Sequence, residues 1–93
     1  MFFIPRVNVV ESDQGFSVEV LGRSGVRYVE GGCSLLIDSE LLNGPDGIAI
    51  YSSSIKTWDV PNTHEPIDPS DKARIIENVR DAFRFRGFEI EVM

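Results

Sequence analysis

The sequence predicts an α+β domain: an antiparallel β-meander of about five to six strands, one C-terminal helix packed on one face, and a final strand after it. Three observations carry this prediction. Short β-branched or alternating runs, separated by glycine-bearing turns, fill residues 6–51. Only one segment, after Asp68, repeats apolar residues at three- and four-residue steps. The chain then returns to strict alternation at Phe88-Glu89-Ile90-Glu91-Val92. With 93 residues there is material for one globular domain, 1–93, around one modest core.

The elements follow in order. Arg6-Val-Asn-Val-Val-Glu11 is β-branched and stops at the turn Asp13-Gln14-Gly15. In Phe16–Leu21, Phe16, Val18 and Val20 share one face while Ser17 and Glu19 take the other. Gly22-Arg23-Ser24-Gly25 breaks that run, and Val26–Glu30 resumes it. Gly31-Gly32 offers two positions free to take positive φ, which suits a tight hairpin into Cys33–Ile37. Asn43–Gly47 is the strongest turn signal, and Ile48–Tyr51 the next short strand. Short loops between these strands leave no room for parallel crossovers. The helix is marked by Asp68 as its cap, Pro69 at its first position and Asp71 three residues after the cap. Ile75, Ile76, Val79, Ala82 and Phe83 form its apolar stripe, Arg84 and Arg86 favour its C-terminal dipole, and Gly87 ends it.

Charge excludes one class of partner. Nine basic side chains against fifteen acidic ones leave a net charge of −6, which repels nucleic-acid phosphates and attracts a basic protein face. The excess lies in residues 1–67, where Arg6, Arg23, Arg27 and Lys56 face nine carboxylates. No apolar run approaches the ~18 residues that cross a bilayer, so no membrane partner is expected. Met1–Pro5 lacks the basic flank of a secretion signal, and the expected location is cytoplasmic. Cys33 is the lone cysteine, which rules out an intramolecular disulfide and a thiolate cage.

Residues 52–66, SSSIKTWDVPNTHEP, hold the features that resemble a catalytic site. Ser53 and Lys56 reproduce the Ser-x-x-Lys spacing of one class of acyl-enzymes, but that chemistry places its serine at a helix start. Here the pair follows a strand, and on an extended chain it spans about 10 Å. His64 is the only histidine, and no nucleophile elbow or oxyanion hole accompanies a triad drawn through Ser54 and Asp59. No catalytic residue, cofactor or metal is therefore expected. Trp58 opens an eleven-residue connection, Thr57–Ile67, and two compatible readings stay open for it. The indole is part of the core, or it presents an anchor to a protein partner. On the second reading, alanine there weakens partner binding by more than ~2 kcal/mol with folding still cooperative; unfolding instead marks it as core.

The segments Leu35-Leu-Ile-Asp-Ser-Glu-Leu-Leu42, Gly47-Ile-Ala-Ile-Tyr51, Ser54-Ile-Lys-Thr-Trp58 and Pro61, followed by an Ile- and Arg-rich helix and a closing strand, carry a resemblance. In this order they resemble the immunity proteins of bacterial polymorphic toxin systems, and are most similar to the immunity protein 74 family, over roughly residues 25–92. The resemblance implies a cytoplasmic antidote with no chemistry of its own that blocks a cognate toxin, for instance a basic nuclease. The partner-contact candidates are Tyr51, Lys56, Trp58 and His64 on and beside the loop, with Asp38 and Glu40 supplying charge. Two other readings remain: a structural or regulatory module that forms a homodimer through an exposed strand edge, and a small hydrolase using the 51–66 loop.

Overall fold

The computed structural model describes residues 1–22, 25–41, 47–59 and 65–93. Its strands are β1 (Phe2–Arg6), β2 (Val9–Ser12), β3 (Phe16–Val20), β4 (Gly25–Glu30), β5 (Cys33–Leu41), β6 (Ile48–Ile50) and β7 (Ile90–Val92). A 3-10 turn covers Ser52–Ser54, and the helix α1 runs Pro69–Phe85. The strands form one seven-stranded sheet in sequence order. Every neighbouring pair is antiparallel except β6 and β7, which run parallel. The α+β meander with one helix and a closing strand is thus the observed architecture.

Three details differ from the sequence expectation. The run expected as one strand over 6–11 is split between two strands, because Val7-Asn8 reverses the chain and Phe2–Arg6 pairs back on β2. The Asn8 amide fixes this corner by donating to the Val20 carbonyl at 3.0 Å. The strand expected over Cys33–Ile37 continues to Leu41 because it serves two neighbours in turn. Residues 33–38 pair with β4, and residues 39–41 pair with β6. The closing strand, in turn, lies parallel to β6, which the long connection through the 3-10 turn and α1 makes attainable.

Residue alternation divides the sheet into two faces. Val10, Phe16, Val18, Val26, Tyr28, Leu35, Ile37, Ile50 and Ile90 point to the helix side and are buried with Ile75, Val79, Ala82 and Phe83 of α1. Each such aliphatic side chain contributes about 1.5–3 kcal/mol by leaving water. Aromatic rings run through this core: Phe2 meets Phe16 at 5.9 Å, Phe16 meets Tyr28 at 5.8 Å, and Tyr28 meets Trp58 at 6.4 Å between centroids. Asp68 caps α1 by accepting from the Asp71 N–H at 2.8 Å, with Pro69 at the first turn as the sequence implies. The Gly31-Gly32 hairpin takes φ of 57° and 84°, the left-handed geometry that its two glycines permit. The expected turns at 22–25 and 43–47 fall largely outside the described residues, with Gly22 and Gly47 at positive φ on their rims.

Candidate protein-docking face

The sheet face turned away from α1 holds three of the six candidates, Asp38, Glu40 and Tyr51. On β5, Leu35, Ile37 and Ser39 are buried, so the alternating residues Leu36, Asp38 and Glu40 point outward and are exposed. Register then places Glu40 opposite Ala49, and Ala49 beside Glu91 of β7. Tyr51 lies just beyond β6, and its N–H donates to the Asp38 carbonyl at 2.9 Å. Its hydroxyl donates to the Glu40 carboxylate at 2.5 Å. This bond, followed by partial desolvation and the nearby charge, raises the Tyr51 phenol above its ordinary value. Asp38, Glu40, Tyr51 and Glu91 therefore share one face.

No cation neutralises this group: among the described residues, no ion pair joins Asp38, Glu40 or Glu91 to Lys or Arg. Five of the described arginines are engaged elsewhere. Arg6 and Arg27 face Glu19 at 3.9 and 3.3 Å, Arg74 bridges Glu30 and Asp71 at 2.7 and 2.6 Å, Arg80 pairs with Glu77, and Arg84 meets Glu89 at 3.1 Å. Asp38, Glu40 and Glu91 thus keep their charge without an ion-pair partner among the described residues. Glu91 was not singled out from the sequence. Its alternation with Ile90 gave its face, but only the parallel register gives its neighbours.

The stretch 52–59 is held by backbone-directed bonds. Ser54 turns its N–H to the Tyr51 carbonyl at 3.0 Å, and Ile55 donates to Ser52 at 3.1 Å, so Ser53 sits on a 3-10 turn rather than the extended chain expected from sequence. Ser53 and Lys56 are both exposed. The neighbouring serines serve the fold: Ser52 Oγ donates to the Met93 carbonyl at 2.8 Å, and Ser54 Oγ accepts from the Asp38 N–H at 2.9 Å. Asp59 completes the arrangement along β5. Its N–H donates to Ser34 O at 2.8 Å, while its carboxylate accepts from the Leu36 N–H at 2.9 Å. Side chains and a loop backbone thereby occupy the edge of β5 that β6 leaves unpaired.

The ends of the Thr57–Ile67 connection pair with each other. Thr57 bridges Pro66, Trp58 N–H donates to Glu65 at 3.0 Å, and Ile67 N–H donates to Lys56 at 2.9 Å. Trp58 itself is 8% exposed, with its indole stacked on Tyr28. His64 lies outside the described residues. An apolar cleft of about 240 Å³ opens at the other end of the molecule, between β2–β3 and the end of α1, lined by Val10, Val18, Val20, Phe83 and Phe88. Among the described residues, no set of three or more His, Cys, Asp and Glu side chains converges on a common point suited to a metal.

A model of the Immunity protein 74 family matches residues 17–93, from β3 to the end of the chain. The chain belongs to the immunity protein 74 family. The match reaches further towards the N-terminus than the resemblance read from sequence, taking in β3 from its second residue, and leaves β1 and β2 outside it. No curated protein and no solved structure matches this family member significantly. The outward face described above lies wholly within the matched residues.

Proposed function

We propose that this immunity-family protein binds a cognate bacterial toxin domain in the cytoplasm and blocks its active site or substrate path. It does so by shape and charge, without making or breaking covalent bonds. The supporting observation is the unneutralised face of Asp38, Glu40 and Glu91 around the Tyr51 hydroxyl, in a chain of the immunity protein 74 family. A basic toxin, a nuclease above all, is steered onto such a face, and the carboxylates there stand in for phosphates. Lys56, on the exposed stem of the adjoining loop, and His64 further along it extend the contact. Trp58 acts chiefly from beneath, holding the loop stem against the core, because little of the indole reaches the surface.

The test is direct. The genes beside this chain's own are searched for a toxin domain, that domain is expressed, and its activity is measured with and without the chain at low and high salt. Inhibition at equimolar chain, with association slowed by salt, is the expected result. Toxin activity unaffected by excess chain overturns the proposal. A homodimer remains the second reading, and sedimentation of the free chain separates the two.

A further inference from the structure

We infer that the toxin docks by adding an extended, basic segment to the open edge of β7, as an eighth strand of the sheet. This rests on the toxin-binding reading above and names where and how the contact is made. β7 is the last strand of the sheet, and β6 occupies only one of its sides. On that side, Met93 N–H donates to Ile50 O at 2.8 Å and Ser52 N–H donates to Met93 O at 3.1 Å. In a parallel ladder the bonding residues alternate, so Glu91 and Met93 face β6 while the N–H and C=O groups of Ile90 and Val92 point away from it. Among the described residues no backbone bond reaches Ile90 or Val92 from that far side. A row of unpaired donors and acceptors of this kind is a template for another strand.

The opposite edge of the sheet is not equivalent. β1 contains Pro5, which has no N–H to offer, and its register shifts between Phe3 and Arg6. Both features blunt an edge against pairing, whereas β7 carries neither a proline nor a shift in register. The docking edge is therefore β7.

Charge selects the occupant. An added strand sets its outward side chains beside Glu91, extending the row Glu40–Ala49–Glu91 by one position. Glu89 is already met by Arg84 at 3.1 Å, but Glu91 has no cation among the described residues. A second copy of this chain, pairing antiparallel across a two-fold axis centred on Ile90, sets Glu91 of each copy opposite Glu89 of the other, and one centred on Glu91 sets that residue opposite its own counterpart; like charges on facing positions destabilise a pair. A segment alternating Lys or Arg with apolar residues fits both faces: its cations lie beside Glu91, and its apolar side chains continue the floor formed by Ile90 and Val92.

Proline at 92 gives the test, because the Val92 N–H takes no part in the ladder with β6. Exchange of the Ile90 and Val92 amides is measured in the parent chain, free and bound to the toxin domain encoded beside its gene. Val92→Pro and Glu91→Lys are titrated with the same domain. Expected are strong protection of both amides on binding, and affinity at least tenfold weaker for Val92→Pro, with the Glu91 and Met93 amides still protected in the free variant. Glu91→Lys slows association at low salt. Binding of the parent without protection of the Ile90 and Val92 amides, or Val92→Pro binding like the parent, overturns the β7 site and leaves the toxin-binding reading intact. If Val92→Pro does not fold, the parent's exchange pattern decides. Failure of the toxin domain to bind the parent removes both proposals.

Discussion

Tyr51 and Glu40, eleven positions apart in sequence, are joined by a 2.5 Å hydrogen bond on the outward face of the sheet. The pairing of β5 with β6 puts them there, since Ser39 lies opposite Ile50 and the next residues on each strand turn to the other side. The bond holds the carboxylate beside Asp38 and lets the phenol act as a donor that a partner can compete for. Tyr51→Phe removes the donor and leaves the fold intact, and it is expected to weaken toxin binding by roughly two- to fivefold, as an exposed polar pair does. Glu40→Gln should bring the Tyr51 phenol down towards its ordinary value near 10.0, read by absorbance titration. The other tyrosine does not interfere, because burial and then the Glu30 bond push Tyr28 far higher. A Tyr51 titration unmoved by Glu40→Gln contradicts the bond.

Trp58 separates folding from binding. With its indole stacked on Tyr28 and almost no exposed area, truncation leaves a cavity against the aromatic core. Trp58→Ala is therefore expected to cost about 3–5 kcal/mol of stability. For a domain whose total is about 5–15 kcal/mol, that is enough to bring it near unfolding. Trp58→Phe keeps a ring over Tyr28 and should retain most of the stability. Urea titration of both variants checks this. If Trp58→Ala keeps the parent's midpoint while binding collapses, the indole is a contact residue and not a core one.

Asp59 does the work of a missing strand. Its carboxylate accepts from Leu36 N–H while its own N–H reaches Ser34, so β5 is satisfied where β6 is too short to follow it. Asp59→Ala leaves the Leu36 N–H without its acceptor, at an expected cost of about 1–2 kcal/mol, and the Leu36 amide should exchange faster. Asp59→Asn keeps an oxygen in place and should recover much of the loss. Equal stability for Asp59→Ala and the parent would falsify the clamp.

Local chemistry was readable in the sequence, and pairing was not. The cap at Asp68, the stripe through Ile75, Val79 and Phe83, and the glycine hairpin at 31–32 all depend on neighbours a few residues apart, and all stand as read. The strand Phe2–Arg6 was not read from the sequence, and Pro5 is tolerated in it because β1 is an edge of the sheet. The reach of β5 to Leu41, the parallel seat of β7 and the place of Glu91 beside Ala49 arise from contacts across the sheet. Periodicity assigns a face to a residue but no neighbour. For the same reason Ser54 could be drawn on paper into a triad with Asp59 and His64, when its hydroxyl bonds the Asp38 N–H and the Tyr51 carbonyl.

The acid limit of the fold should be set in part by Glu30. On the helix side of β4, its carboxylate accepts from Arg74 at 3.2 and 2.7 Å and from the Tyr28 hydroxyl at 2.5 Å, while Asn78 donates to that hydroxyl at 2.8 Å. These bonds tie α1 to the sheet. Burial alone raises the Glu30 carboxyl, but the bonds from Arg74 and Tyr28, with the charge of Arg74, outweigh it and hold the group below its ordinary 4.5. A carboxylate depressed by folding stabilises the protein at any pH above the unfolded value. That contribution is lost as pH falls from about 4.5 through the folded value. Arg74 is 44% exposed, so solvent screens the pair, and Arg74→Ala is expected to cost only about 1 kcal/mol near neutral pH. Glu30→Gln removes the titrating group, and its urea midpoint should therefore fall less steeply than the parent's between pH 5 and pH 3. Parallel declines for the two proteins across that window would show that the acid sensitivity arises elsewhere.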